Sequence, residues 1–481
     1  MLRLMQKYSE KFENVLSWLV LGLLMFIPLY LKFPLIFIKG TFVTIRLEDL
    51  LIFATTILWL ITIFSSGKIK EVLKDRLNQT ILVFLFVGGV SVLSGSLLTH
   101  TTTFHLGLFH LARRLEMIIL LPIGYWVIKE KKQVGLYLCG LSLAVFIVNL
   151  YALGQKYLRL PAISTINSEL SKGLVYYLGP FDRVNSTFSG HYDLAIFLVM
   201  ALTLILGILL YFVDNKDKLP KKIWPIGYLS ILFVFSLVVL IMTAARLSFV
   251  AGVAGIFFIF IFLKKKKYIL FGILVLIGVL LYPSQLRDRL VSTFTINIQK
   301  SWTKYFAVSE EQQNRSQLNI PTLPATGNKI ETVGVEAADI VPGEPTNTTD
   351  LAIYRSFEIR TKVEWPRAWR AFLKNPLLGT GYSSLGLATD NDWLRSLGEA
   401  GILGTIAFIL VIVEVVKRIW KQAFGFSGFL KYLSIGTLSM VFAFLVNSLF
   451  IDVFEASKVA YLFWLIVGIT LGTGKLTKEY A

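Results

Sequence analysis

Asp390, Asn391 and Asp392 form a compact polar cluster within NPLLGTGYSSLGLATDNDWLRSLGEAGILG, residues 375–404. A carboxylate here can take a proton from a hydroxyl group. It can also serve a helix: Asp390 reads as the N-cap of a helix beginning near Asn391, and Asp392 as its first-turn carboxylate. Capping and catalysis do not exclude each other. Gly379 and Gly381, just upstream, most simply supply a tight turn, and a lone glycine pair says little about phosphate binding. The stretch closes the one long hydrophilic region of the chain and enters an apolar run near Gly401. A polar, glycine-bent segment in that setting suits chemistry on a substrate carried by a lipid.

Four arginines stand where anions could be held. Arg246 lies in MTAARLSF, where two apolar runs meet. It is read either as a snorkelling interface residue or as a phosphate ligand, since a planar guanidinium matches phosphate oxygens. Arg360, taken alone, is a solvated loop arginine. Arg113 and Arg114 fall with Glu116 near the middle of an apolar run, one turn after His110. Insertion of an arginine there costs about 2.5–3.5 kcal/mol. Two readings stay open: an Arg113–Glu116 ion pair that fixes packing, or an arginine facing a polar cavity to hold an anion. His191 and Asp193, in RVNSTFSGHYDLA, either cap the helix that follows or bind sugar or phosphate. The 4 histidines show no ligand spacing, so no metal is expected. Cys139, the single cysteine, lies in an apolar run and permits no disulfide within the chain.

These groups need elements to carry them. Of 481 residues, 55% are apolar and 16% charged, against about 25% charged in soluble domains. Several apolar runs reach the roughly 20 residues that cross a bilayer. They are continuous rather than alternating, so the expected fold is all-α, a polytopic membrane helical bundle and not a β-barrel. Twelve spans are expected, at 14–31, 48–66, 79–99, 104–128, 133–155, 190–213, 222–244, 247–263, 268–282, 400–416, 429–451 and 458–473. The net charge of +18 comes from lysine and arginine clusters in alternate connections. That is the cytoplasmic excess of positive charge rather than a nucleic-acid-binding face, and it puts both termini in the cytoplasm. The first run, from about Val15, is read as a retained span and not a cleaved signal peptide.

The organisation is then nine spans over 1–282, an outer loop over 283–399, and three spans over 400–481. Within the loop, residues 308–350 have the composition of a disordered segment. Trp365, Ala368, Trp369 and Phe372 then recur with helical spacing, with Pro366 in the first turn. Arg367 and Arg370 would share the polar face of a helix lying on the membrane surface.

The pattern resembles the O-antigen ligase and polymerase superfamily of bacterial membrane glycosyltransferases. The resemblance rests on TAARLSF, on Arg360, Trp365 and Ala368, on NPLLGTG, and on DNDWLRSLGEAGILG, in the family's order across about 185–410. It implies transfer of a glycan from an undecaprenyl-pyrophosphate carrier to an acceptor sugar, lipid or protein, without metal, cofactor or nucleotide sugar. It also implies the outer face of the cytoplasmic membrane. By the same resemblance Arg246 and Arg360 inherit the role of holding the pyrophosphate. One departure is clear. Ligases commonly carry His-Asn where this chain has Asp390-Asn391, and aspartate, with a reference pKa of about 3.9, is a weaker base unless burial raises it.

The expectation is therefore direct displacement with Asp390 as base, His191 in reserve, and Arg246 and Arg360 on the leaving pyrophosphate. Asp193, Asn391, Arg113 and Arg114 complete the expected substrate-binding set. A polymerase or a protein O-glycosylating transferase differs only in acceptor. A lipid-glycan transporter, the rival of another class, often shows paired broken helices in matching halves, and no such pairing is legible.

Overall fold

The computed structural model describes residues 2–37, 44–163, 175–179, 182–216, 223–282, 284–288, 359–386 and 388–478. Its longer helices are α1 (Leu2–Leu29), α2 (Leu47–Ser66), α3 (Ile69–Lys74), α4 (Arg76–Leu97), α5 (Phe104–Ile118), α6 (Leu120–Val127), α7 (Lys131–Tyr157), α8 (His191–Asp214), α9 (Ile223–Met242), α10 (Arg246–Phe262) and α11 (Lys266–Leu281). After the π-helical turn Arg360–Glu364 come α12 (Trp365–Lys374), α13 (Asp392–Gly425), α14 (Gly428–Ser448) and α15 (Ser457–Gly472). Two short antiparallel ribbons, β1 (Pro34–Phe37) with β2 (Thr44–Arg46) and β3 (Ala162–Ile163) with β4 (Val175–Tyr176), are the sheet found among the described residues.

Among the described residues, eight helices are long and apolar enough to cross a membrane, by length and composition: α1 from Glu10, α2, α4, α7, α8, α9 from Trp224, α13 and α14. α10 and α15 are apolar but shorter. The chain is a helical membrane protein, and the expected twelve spans are not all met by length among the described residues. The span expected at 104–128 is two helices, α5 and α6. Pro122 has no N–H to give Ile118, which interrupts the ladder where one hands over to the other. Residues 308–350, expected to be disordered, lie outside the described residues, as does most of the expected 283–399 loop.

α15 is the axis of the bundle, since every one of its 16 residues is buried. It crosses α6 with backbone against backbone. A Cβ added to Gly468 would lie 2.2 Å from the Leu121 carbonyl oxygen, and one added to Gly124 would lie 2.7 Å from that of Leu465. Small residues at a crossing let two helices approach where no water drives them together.

One end of the bundle gathers polar contacts between helix ends. There Lys458, opening α15, donates to the carbonyls of Tyr30, after α1, and Thr187, before α8. Arg46, before α2, reaches Ser457 at 3.4 Å. Ser248 in the first turn of α10 donates to Asn447 near the end of α14 at 2.9 Å.

Candidate active site

The site hangs on a break in α13. Gly401 has φ 66° and ψ −169°, so the backbone leaves the helix between its two halves, Asp392–Ala400 and Ile402–Gly425. A broken helix strands N–H and C=O groups on both sides. The NPLLGTG segment meets both sets. Thr380 N and Gly381 N donate to the carbonyls of Gly398 and Glu399, each at 2.9 Å. Ile402 N and Leu403 N donate to those of Pro376 and Leu377, at 2.9 and 3.1 Å. The approach leaves no room for side chains: a Cβ on Gly379 would sit 2.4 Å from the Glu399 carbonyl carbon, and one on Gly401 would sit 2.4 Å from the Leu377 oxygen. Gly379 and Gly381 also have φ of 69° and 88°, so they make the turn and dock it. α4 holds the turn from behind, through Ser94, which accepts from Asn375 Nδ2 at 2.9 Å.

The docked half-helix presents the polar cluster. Its cap is Asn391, not Asp390 as the sequence suggested. Asn391 Oδ1 accepts from the N–H groups of Trp393 and Leu394, both at 3.0 Å, and its Nδ2 donates to the Leu449 carbonyl at 3.0 Å. Asp392 accepts from Val453 N at 2.8 Å and from Phe454 N at 3.3 Å. Asp452 answers from the opposite loop, accepting from Thr389 N at 2.8 Å, Asn391 N at 3.0 Å and Arg395 Nη1 at 2.9 Å. Asp390, at φ 50°, is thus held in the left-handed region with its carboxylate released from capping.

That carboxylate meets Arg360. Arg360 Nη2 and Nε lie 2.7 and 3.0 Å from the same oxygen, Oδ2. The arginine side chain is 8% exposed and the aspartate 30%, so the carboxylate is the accessible partner. Burial pushes the Asp390 carboxyl above its ordinary range; Arg360 pulls it down and the nearby Asp452 pushes it up again.

Behind this pair runs a line of charge. Arg395 reaches Asp452 at 2.9 Å and Glu399 at 3.5 Å, and Glu399 accepts from Arg114 at 2.9 Å. Arg114 also holds Glu455 at 2.5 Å and lies 3.8 Å over the Tyr382 ring. The alternation of sign lets buried charges satisfy one another.

A second basic group forms beside the first. Arg183 lies 2.6 Å from His191 Nε2. Burial lowers the Arg183 pKa, the charge and hydrogen bond of Tyr192 oppose this, and the charge of Arg246 adds a smaller downward push. Arg246 opens α10, where a helix dipole disfavours a cation and favours an anion. The two groups share the end of α14. Ser248, in the turn that Arg246 opens, bonds Asn447; Trp393 Nε1 donates to Ser448 at 2.9 Å, and Asn391 to Leu449.

Other expectations land elsewhere. Neither His191 nor Asp193 caps α8; the cap is Gly190, without a side-chain bond. Asp193 instead accepts from Ser189 at 2.6 Å and lies 4.0 Å from Lys32 Nζ. Arg113 turns away from Asp390 into its own cluster: Asp49 at 2.7 Å, Tyr461 Oη at 2.5 Å, the Thr44 carbonyl at 3.0 Å and Glu116 at 3.2 Å. In α12, Arg367 is buried with Ala368 and Ala371, while Trp369 and Leu373 face outward. The arginine face therefore packs inward rather than lying on the polar side of a surface helix. Sequence reasoning missed Arg395, Glu399, Asp452 and Glu455. Their signal was present, as charges in LRSLGEAG and in SLFIDVFEAS beside apolar runs.

A search of curated proteins returned no match. Residues 231–409 match the family model for O-antigen ligase. The matched stretch holds Arg246, Arg360, the NPLLGTG turn, Asp390 and the break at Gly401. Over that stretch the chain is similar to the O-antigen ligase family.

Proposed function

We propose that this protein transfers a glycan from undecaprenyl pyrophosphate to an acceptor hydroxyl at the outer face of the cytoplasmic membrane. The observation that carries the reading is the accessible Asp390 carboxylate on the buried Arg360 guanidinium; Arg246 opens α10, whose first turn bonds the end of α14 through Ser248 and Asn447. The acceptor oxygen attacks the anomeric carbon as the bond from that carbon to the pyrophosphate oxygen breaks, with inversion. The acceptor proton goes to Asp390. The electron pair leaves with the pyrophosphate, whose charge Arg246 and Arg360 offset. His191, beside Arg183, orients that arginine or substitutes as base. Asn391 and Arg114 support the site, as cap of the half-helix and as partner of Glu399, while Arg113 and Asp193 pair elsewhere, with Asp49 and Lys32. No step calls for a metal.

The topology fits this reading with twelve crossings. α10, α11 and α15 serve as short spans, α5 and α6 together as one, and both termini are cytoplasmic by the distribution of lysine and arginine. The polar end of the bundle then faces outward.

The test is incubation of purified protein with undecaprenyl-pyrophosphate glycan and a panel of acceptors. A new glycosidic bond supports the reading, and product size and attachment separate ligase, polymerase and protein transferase. Movement of labelled carrier across liposomes with no new bond would replace the enzyme with a transporter.

A further inference from the structure

Glu364 ends the π-helical turn that Arg360 begins. Wide turns of this kind recur at functional sites because they redirect side chains that a regular helix would stack. Glu364 is 7% exposed, and among the described residues its Oε2 has no hydrogen-bond partner. An ionised carboxylate is far more costly in such a place than a protonated one. The charged groups around it come from four elements. Arg360 and Arg367 lie on its own turn and on α12, Asp390 on the loop before α13, and Asp452 on the loop after α14. Arg360 is committed to Asp390, and Asp452 to Arg395.

We propose that Glu364 is a buried, neutral carboxylic acid that keeps another negative charge away from the pocket while Asp390 works as base. The idea rests on the transfer reading above. Burial first, then the charges of Asp390 and Asp452, carry the Glu364 carboxyl up to about 8, against the pull of Arg360 and Arg367. At neutral pH it therefore holds its proton. It takes none from the acceptor; Asp390 does that and returns the proton to water through its exposed side. When pH rises through about 8, Glu364 ionises. The pocket then holds an added negative charge facing a diphosphate, and donor binding weakens.

The experiment measures donor affinity and transfer against pH for wild type and Glu364→Gln, using a polyprenyl-diphosphate glycan. In wild type, affinity should fall about tenfold per pH unit above the Glu364 pKa. Glu364→Gln, always neutral, should stay within about threefold of wild type at neutral pH and lose this alkaline limb. Superimposable profiles would overturn the proposal. Infrared difference spectra of protein carrying 13C-labelled glutamate give a readout independent of turnover. A protonated glutamate C=O band that is absent from Glu364→Gln should be present in wild type at neutral pH and vanish as pH is raised through about 8. Absence of that band also overturns the proposal. If no glycan transfer occurs but the band titrates as described, the transfer reading fails while the neutral state of Glu364 stands.

Discussion

Arg360 Nη2 lies 2.7 Å from a carboxylate oxygen of Asp390, 30 residues further along the chain. The contact joins a buried fork of donors to a carboxylate that can be reached. A substrate phosphate can compete for the fork without moving it. Arg360→Ala should lower transfer about a hundred- to a thousand-fold, the usual cost of losing one preorganised charge stabiliser, about 2.7–4 kcal/mol. Arg360→Lys should recover only part, because a lysine offers no planar fork. Single-turnover rates on folded, detergent-purified protein check this. Wild-type turnover by Arg360→Ala would remove Arg360 from the site.

The Asp390 carboxyl is pushed upward by burial and by Asp452, with Arg360 opposing. A base works when ionised, so the rate should rise with pH through an acid limb above the ordinary aspartate range near 3.9. Asp452→Asn removes one upward push and should move that limb to lower pH. Asp390→Asn should lose most of the rate together with the limb. pH–rate profiles decide, and an Asp390→Asn variant with the wild-type profile would assign the base elsewhere.

Gly401 is the hinge on which the docked half-helix turns. An alanine there needs φ of 66° and a Cβ 2.4 Å from a carbonyl oxygen. With ψ of −169° that φ falls in a region open essentially only to glycine, at a cost of about 1–3 kcal/mol, and the overlap adds to it. Gly401→Ala should therefore lower the thermal midpoint strongly. Gly135→Ala in α7, where a Cβ meets nothing within 4 Å, should hold the midpoint or raise it. Equal midpoints for the two variants would mean that the break is not rigid.

Composition and continuous apolar runs made the helical membrane fold legible, because length and hydropathy are properties of single segments. The NPLLGTG turn was legible for its glycines. That it splints a broken helix was not, since the partners at 398–403 are set by a tertiary approach that no spacing reports. Asp390 was legible as a candidate but was misread as a cap; Asn391, one residue on, takes that work because Asp390 adopts positive φ. Arg113 and Arg114 are adjacent and looked alike. Being neighbours on a helix, they point about 100° apart, one toward Asp49 and the other toward Glu399 and Glu455.

Arg183 and Arg246 are like charges held close together, with His191 against the first. An anion that enters between them gains from both charges. Arg246→Ala should shrink the rise in midpoint that a polyprenyl-diphosphate donor gives wild type. A ligand at a hundred times its Kd stabilises by about 2.7 kcal/mol, and a tenfold loss of affinity removes about half of that. Thermal shift with and without donor measures this. If Arg246→Ala destabilises the empty protein and responds to donor as wild type does, the arginine holds the ends of α10 and α14 together and does not bind the anion.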